Sequence, residues 1–473
     1  MDKKKTKIVC TIGPASESKE MITKLALNGM DVARLNLSHG DHAEHLKRIN
    51  TIKEVREEIN IPIAILLDTK GPEIRTKDLK DGKVTLTKGE TFILTTEDIV
   101  GDETKVSVTY EKLTEEVEVG TCILIDDGLI ELKVKEVTET DLICEVISGG
   151  VLGNKKGINI PNTKLNLPAI TAKDREDIIF GINNGVDFIA ASFVRSASAV
   201  NEIRDILRDS SSDISIVSKI ENREGLDNID EIIEASDGIM IARGDLGVEV
   251  DPEELPFIQK QIIKKCNEKF KPVITATQML DSMIRNPRPT RAEATDVANS
   301  IYDGTDAIML SGETAMGSYP LEAVRMMVKI AMETEKHLDY DAFLQTRKKT
   351  DEHSVSVAVA YSAVTTALSI DAELIIASSF TGFTTRIVSK LRPQAKVMGL
   401  SPIKRSLRKM QLYWGVTPLE TSEVNSTDNL LEEAIKTVKE SGYVSSGDYI
   451  VLTAGVPAGV TKSTNMIKVE KIS

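Results

Sequence analysis

Two short stretches concentrate residue types that do chemistry: Ser218-Lys219-Ile220-Glu221-Asn222 and Ala242-Arg243-Gly244-Asp245-Leu246-Gly247. Each follows a short apolar run, 215–218 and 238–241. Residues two apart on an extended chain share a face, so Lys219 and Glu221 point the same way. Carboxylates from two neighbouring strand ends, Glu221 and Asp245, suit a hard divalent ion, Mg²⁺ or Mn²⁺, that keeps waters and draws further ligands from substrate. A lysine beside them supplies compact positive charge for a migrating phosphoryl group or a developing enolate. Salt-bridged surface acids are the plain alternative for any single Asp or Glu. Their joint placement with Lys219 favours the functional reading.

Other strand ends are polar in the same manner. Arg34, Asn36 and Ser38 follow Val32-Ala33 at i, i+2, i+4 and share one side, and Asp68 and Thr69 close the run 63–67. Thr277 lies in Thr275-Ala276-Thr277-Gln278 and Ser311 in Ser311-Gly312-Glu313-Thr314; both also fit helix caps. The chain has no GxGxxG fingerprint and no Walker A sequence. The glycines at 244 and 247 instead let backbone N–H groups at a helix start approach an anion. Asn154-Lys155-Lys156-Gly157 reads as a solvated turn or as a phosphate-gripping lid.

These residues need a scaffold that gathers strand ends. Eight short apolar runs, 7–12, 32–35, 63–67, 186–190, 215–218, 238–241, 272–275 and 306–310, alternate with amphipathic segments at 19–27, 43–58, 199–207, 226–235, 255–269 and 321–336. This β-then-α order predicts a (β/α)₈ TIM barrel, whose functional groups come from the C-terminal ends of its strands. The alternation breaks after Gly71. Gly-punctuated β-rich runs at 83–86, 91–94, 121–125, 129–137 and 142–146 replace helices, with a hairpin turn at Asp126-Asp127-Gly128. Beyond the charged stretch 347–353 the alternation resumes, with a helix at 355–368, a run at 374–378, a helix from 385, and runs at 396–399 and 449–452. The expected domains are a barrel from 1–70 and 168–340, an inserted all-β lid at 71–167, and a C-terminal α/β domain at 353–473.

Bulk properties exclude several partners. A formal charge of −14 leaves no broad basic face for nucleic acid. No run approaches the ~20 apolar residues of a membrane span, and the basic N-terminus lacks a signal peptide's apolar core. Cys10, Cys122, Cys144 and Cys266 are scattered in apolar contexts, which reads as buried free thiols in a reducing cytoplasm.

The motifs also resemble those of the pyruvate kinase family along essentially the whole chain. The matching stretches are Thr11-Ile12-Gly13-Pro14, Ala33-Arg34-Leu35-Asn36-Leu37-Ser38-His39-Gly40, Leu67-Asp68-Thr69-Lys70-Gly71-Pro72-Glu73-Ile74-Arg75, the two stretches quoted first, Ala276-Thr277-Gln278-Met279-Leu280, Pro287-Arg288-Pro289-Thr290-Arg291-Ala292-Glu293 and Leu310-Ser311-Gly312-Glu313-Thr314-Ala315. The resemblance implies transfer of phosphate from phosphoenolpyruvate to ADP, then protonation of the enolate to pyruvate, in a cytoplasmic homotetramer. It implies Glu221 and Asp245 as Mg²⁺ ligands and Lys219 as the transition-state lysine. Asn36, Ser38, Asp68 and the Thr69 carbonyl resemble the K⁺ ligands. Arg34 resembles the arginine spanning donor and acceptor phosphates, Gly244 the backbone donor to the substrate carboxylate, and Thr277 the hydroxyl near the enolate carbon. Pro14, Asn36, His39, Arg75 and Lys156 match the nucleotide side, and Glu73 the acid that accompanies K⁺ dependence.

Two departures stand out. Many members carry a lysine that contacts the nucleotide where this chain has Met316. Ser379, Thr381, Gly382 and Thr384 resemble a hydroxyl-rich loop that holds a phosphorylated effector, but the late loop Thr453-Ala454-Gly455-Val456-Pro457-Ala458-Gly459 lacks the tryptophan and arginine of members activated by fructose 1,6-bisphosphate. An ordinary strand-to-helix turn is the alternative for the first loop. Two rivals share the central residues: another Mg²⁺-dependent barrel aldolase or lyase acting on oxo-acids, and a non-catalytic metabolite sensor. A lid carrying Lys156 serves a kinase that must exclude water around ADP. The intact set Lys219, Glu221, Asp245, Arg34 and Thr277 speaks against a sensor.

Overall fold

A computed structural model describes residues 4–347, 354–424, 426–457 and 463–473. The residues from 348 to 353, within the expected boundary before the third domain, and Ala458 and Gly459 of the late loop lie outside the described residues.

The eight apolar runs form the strands Lys7–Thr11, Val32–Asn36, Ala64–Asp68, Phe188–Ala191, Ser215–Ile220, Gly238–Ala242, Val273–Ala276 and Ala307–Leu310. They close in chain order into a parallel barrel. β-Branched and other apolar residues fit strands covered on both faces. Alternate residues divide between two cores. Val32, Leu66, Ala190, Val217, Met240 and Ile274 fill the interior, while Ala33, Leu67, Ile189, Ile216 and Ile239 pack outward among helix residues such as Val200, Ile203 and Ile262.

Two barrel helices escaped the sequence reading. Ala172–Asn183 and Arg291–Tyr302 each begin with a capping box, Thr171 with Asp174 and Thr290 with Glu293. Their apolar stripes are thin, which hid their period. The expected helix 226–235 is two, Arg223–Asp227 and Ile229–Ala235, because Asn228 leaves helical geometry between them.

The insertion folds as a seven-stranded sheet, in spatial order Ile74–Arg75, Gly157–Asn159, Cys122–Ile125, Ile130–Val137, Asp141–Ser148, Thr91–Thr95 and Lys105–Ser107, with Lys83–Leu86 paired to Gly150–Gly153 beside it. Its own core includes Phe92, Leu94, Ile123, Leu132 and Val146. The expected turn is present: Ile125 pairs with Ile130, and Asp126, Asp127 and Gly128 take φ of 56°, 54° and 82°.

The C-terminal part is a five-stranded sheet ordered Val416–Glu420, Lys396–Ser401, Leu374–Ser378, Tyr449–Ala454 and Met466–Lys471, parallel except for the last strand. The two edge strands were absent from the sequence reading. Pro418 disguises the first, since proline cannot donate to a ladder and is tolerated at an edge. Leu412, from the segment before this strand, joins the interior barrel core. Cys10, Cys144 and Cys266 are buried free thiols as expected, whereas Cys122 is only half-buried. Among the described residues, no helix is long and apolar enough to cross a membrane.

Candidate active site

The interior faces of the strands continue past their apolar residues into polar ones. Arg34 follows Val32, Asp68 follows Leu66, and Lys219 and Glu221 follow Val217, each at a spacing of two. The polar side chains therefore crowd the barrel mouth above an apolar floor. Lys219 Nζ lies 2.9 Å from Glu221 Oε1, 3.1 Å from Asp68 Oδ1 and 2.7 Å from Ser192 Oγ. Arg34 donates through Nε to Asp68 Oδ2 at 2.6 Å and through Nη1 to Thr11 Oγ1 at 2.9 Å. All these side chains are buried.

Charge sets their protonation. Burial drives the Asp68 carboxyl upward, but the Arg34 and Lys219 charges outweigh it and hold it below the usual carboxylate range. Burial works against the Lys219 ammonium, yet Asp68 and Glu221 raise its pKa above that of free lysine. Glu221 is pushed up to about 7, by burial first and by the nearby Asp245 charge, against the opposing pull of Lys219. The backbone N–H of Phe193 donates to its Oε2 at 2.6 Å.

Asn36 and Asp68 are register partners on adjacent strands. Asn36 Oδ1 accepts the Ser38 N–H at 3.2 Å, and the Thr69 carbonyl accepts from Ser192 Oγ at 2.6 Å. The expected oxygen donors thus share one corner of the mouth, with Ser38 exposed at its rim.

Thr277 sits across the mouth in left-handed backbone, φ 68°, followed by Gln278 at 53°. For a β-branched residue this conformation is strained and needs support from its surroundings. Its Oγ1 accepts the Gly244 N–H at 2.6 Å and donates to Ala276 O at 2.6 Å. Arg243 grips the same turn, with Nη2 on Thr277 O at 2.9 Å and Nη1 on Asp296 Oδ1 at 2.7 Å. Thr277 is therefore no helix cap. Nor does the Ser311 side chain cap the helix Gly312–Ala315; its buried Oγ has no hydrogen-bond partner.

The sequence reading passed over Ser192, Arg243 and the Phe193 N–H. Ser192 had a signal, since it stands two residues beyond the interior-facing Ala190. Arg243 and Phe193 had none, because their roles depend on side-chain reach and on a positive φ of 54° at Phe193.

A cavity of about 710 Å³ lies between barrel and insertion, lined by Asp245, Asn222 and Glu249 from below and by Glu73, Arg75, Asp127 and Lys156 from above. Asn159 Nδ2 bridges the two parts, donating to Glu249 Oε1 at 2.8 Å. Arg75 forks onto Glu73 through Nε at 2.6 Å and Nη2 at 2.8 Å, and Lys70 Nζ approaches the same acid at 3.0 Å. Although burial alone would raise it, Glu73 is held below the usual range by these cations. Lys156 Nζ pairs with Asp126 Oδ1 at 2.9 Å. Pro14 and His39 are exposed and do not line this cavity; the His39 carbonyl accepts from His45 Nε2 at 2.8 Å.

Comparison with known proteins decides the family. The family model "Pyruvate kinase, barrel domain" matches residues 3–324, and "Pyruvate kinase, alpha/beta domain" matches 357–470. The chain belongs to the pyruvate kinase family. It is 53% identical over 471 residues to pyruvate kinases of Staphylococcus epidermidis and Staphylococcus aureus, covering 99% of this chain and 80% of each relative. A crystal structure of a pyruvate kinase from Cryptosporidium parvum superposes with a TM-score of 0.95 at 39% identity, covering 99% of this chain and 96% of that one.

Two features of this family member lie off the centre. Met316, at the position where many members carry lysine, is 71% exposed, so it adds neither charge nor packing there. In the loop ahead of the helix Phe383–Lys390, Gly382 takes φ 82° as the helix N-cap. Ser379 is half-buried and Thr381 exposed, whereas Thr384 is buried with its hydroxyl on Thr464 Oγ1 at 2.8 Å. The loop therefore offers Ser379 and Thr381 outward and keeps the Thr384 hydroxyl inside.

Proposed function

We propose that the barrel mouth performs the pyruvate kinase reaction: the enol P–O bond of phosphoenolpyruvate breaks, a terminal β-phosphate oxygen of ADP bonds to that phosphorus, and the released enolate takes a proton at its methylene carbon to give pyruvate and ATP. The observation that carries this reading is the buried set Lys219, Glu221, Asp68 and Arg34, two cations interleaved with two acids beside a nucleotide-sized cleft. Phosphoryl transfer asks mainly for positioning and charge neutralisation, with no enzyme nucleophile.

Members of the family are metal-dependent, and the residues fit that need. Glu221 directly follows the strand Ser215–Ile220 and Asp245 lies in the first turn of the helix Arg243–Glu249 after the neighbouring strand, and no third Asp, Glu, His or Cys among the described residues completes a protein-only cage. Such a site suits Mg²⁺ or Mn²⁺ with substrate oxygens as its other ligands. The all-oxygen set Asn36, Ser38, Asp68 and Thr69 suits K⁺. When bound, these ions supply positive charge to the substrate's phosphoryl and carboxylate oxygens.

In this reading Arg34 and Lys219 hold the transferring phosphoryl, the Gly244 N–H leaves Thr277 for the substrate carboxylate, and the Thr277 hydroxyl orders water at the enolate. Pro14, Asn36, His39, Arg75 and Lys156 meet the nucleotide, which requires Arg75 and Lys156 to exchange their present acidic partners for phosphates. The same reading carries a cytoplasmic homotetramer and a phosphorylated effector at Ser379, Thr381 and Gly382.

Incubation with phosphoenolpyruvate, ADP, Mg²⁺ and K⁺, following pyruvate through a coupled reductase, tests the function. Turnover that disappears when any one component is omitted is expected. Absence of pyruvate from the complete mixture overturns the reading.

A further inference from the structure

Ser192 lies just past the strand Phe188–Ala191, 5% exposed, and its hydroxyl touches both halves of the proposed centre. Its Oγ accepts from Lys219 Nζ at 2.7 Å. The same oxygen is 2.6 Å from the Thr69 carbonyl and 3.2 Å from Asp68 Oδ1. A hydroxyl has one proton, so Ser192 gives it to one of these acceptors at a time.

Lys219 has three protons, and three acceptors surround it: Ser192 Oγ, Glu221 Oε1 and Asp68 Oδ1. Two are carboxylates that the functional reading assigns to cations. Once those carboxylates turn toward cations, the hydroxyl is the partner that continues to aim the ammonium. A neutral acceptor also leaves the lysine's charge undiminished for substrate, which a third carboxylate would not.

We infer that Ser192 is a positioning residue that couples the monovalent-cation cage to Lys219. The inference rests on the cation and lysine assignments of the functional reading. Both acceptors open to the Ser192 proton, Thr69 O and Asp68 Oδ1, belong to the cage. A cation bound there fixes which acceptor the hydroxyl uses, and thereby which lone pair it turns to Lys219. Linkage is reciprocal, so losing the hydroxyl weakens cation binding as well as lysine placement.

The variants are Ser192→Ala, which deletes the hydroxyl, and Ser192→Cys, which replaces it with a bulkier thiol that is a weak donor. Both are expected to lower kcat by about tenfold to a hundredfold, the scale of a misplaced catalytic group. The KM for phosphoenolpyruvate is expected to stay within about threefold, and the K⁺ concentration for half-activation to rise about fivefold or more. Independently of turnover, the rise in melting temperature that K⁺ gives the substrate-free protein is expected to shrink in both variants.

Wild-type kcat and wild-type K⁺ response in either folded variant overturn the inference. So does a fall in kcat with an unchanged K⁺ response, which leaves Ser192 serving Lys219 alone with no coupling to the cage. If the wild-type protein makes no pyruvate, the functional reading fails instead, and the substrate-free melting series still decides whether Ser192 serves the cage.

Discussion

Thr277 Oγ1 lies 2.6 Å from the backbone nitrogen of Gly244, joining the ends of the strands Gly238–Ala242 and Val273–Ala276. The contact holds a β-branched residue in left-handed backbone, with Arg243 gripping the carbonyl of the same residue. Thr277→Val removes the hydroxyl and keeps the branch, so backbone strain is little altered. Its kcat is expected to fall about a hundredfold, the lower end for loss of a proton-handling group. Melting temperature is expected to move by only a few degrees. Steady-state kinetics beside a thermal melt checks this, and an unimpaired variant removes Thr277 from the chemistry.

Lys219→Met keeps the stem and deletes the charge. It is expected to fold and to lose about a hundredfold to a thousandfold in kcat, the scale for deleting a preorganised charge-stabilising donor. Asp68 keeps Arg34, so the mouth retains one ion pair and need not collapse. Circular dichroism paired with the coupled assay separates loss of chemistry from loss of fold.

Glu221 titrates near 7 in the metal-free protein because burial and Asp245 disfavour its charge more than Lys219 favours it. Divalent metal requires the carboxylate. Affinity for Mn²⁺ is therefore expected to fall about tenfold per pH unit below 7 and to level off above it. Stability moves the other way. A carboxyl whose pKa is raised by folding contributes stability that is complete below its unfolded value, near 4.5, and is lost as pH rises through 7. Metal-free protein should thus melt lower at pH 8 than at pH 6 on this group's account, and saturating Mn²⁺ should shrink the difference. Calorimetry of Mn²⁺ binding from pH 5.5 to 8.5 decides; a flat profile contradicts it.

Much of this centre was legible because barrel geometry is periodic. The spacing of two that placed Lys219 with Glu221, and Arg34 with Asn36, is the alternation that separates the interior core from the outer one. Ser192 obeyed the same rule, but Ser192-Phe193 looks like unremarkable strand exit. Arg243 was illegible for a different reason: its value lies in a fork reaching Asp296 and Thr277, residues 53 and 34 positions away. Pro418 and the thin stripe of Ala172–Asn183 hid elements whose stability comes from tertiary packing and caps, not from local pattern.

By resemblance Glu73 implies potassium dependence, and the fold gives this acid a cationic neighbourhood. Glu73 is clasped by Arg75 and Lys70, so Glu73→Lys gathers three cations beside the cleft and frees Arg75. The wild type is expected to need K⁺, and the variant to keep a larger share of its activity without it. Assays in K⁺-free buffer with a non-activating cation at equal ionic strength check this; full wild-type activity there refutes the dependence itself.

Asp306, immediately before the strand Ala307–Leu310, meets Lys390 Nζ at 2.5 Å and Arg392 Nη2 at 3.0 Å, with all three side chains at most 1% exposed. Its Oδ2 also accepts the Val273 N–H at 2.8 Å, and Arg392 lies over the Trp414 ring at 4.7 Å. The cluster fastens the C-terminal sheet to the base of the barrel, far from the mouth. Asp306→Ala takes the shared carboxylate away from two buried cations and a backbone donor, and removing one partner of a buried ion pair typically costs about 3–5 kcal/mol. The first urea unfolding transition is expected to shift strongly downward. Because no catalytic contact is removed, kcat of the folded fraction is expected to stay within about twofold while K⁺ response is unchanged. A variant as resistant to urea as the wild type shows that packing around Trp414 and Leu412 holds the two parts together without the ion cluster.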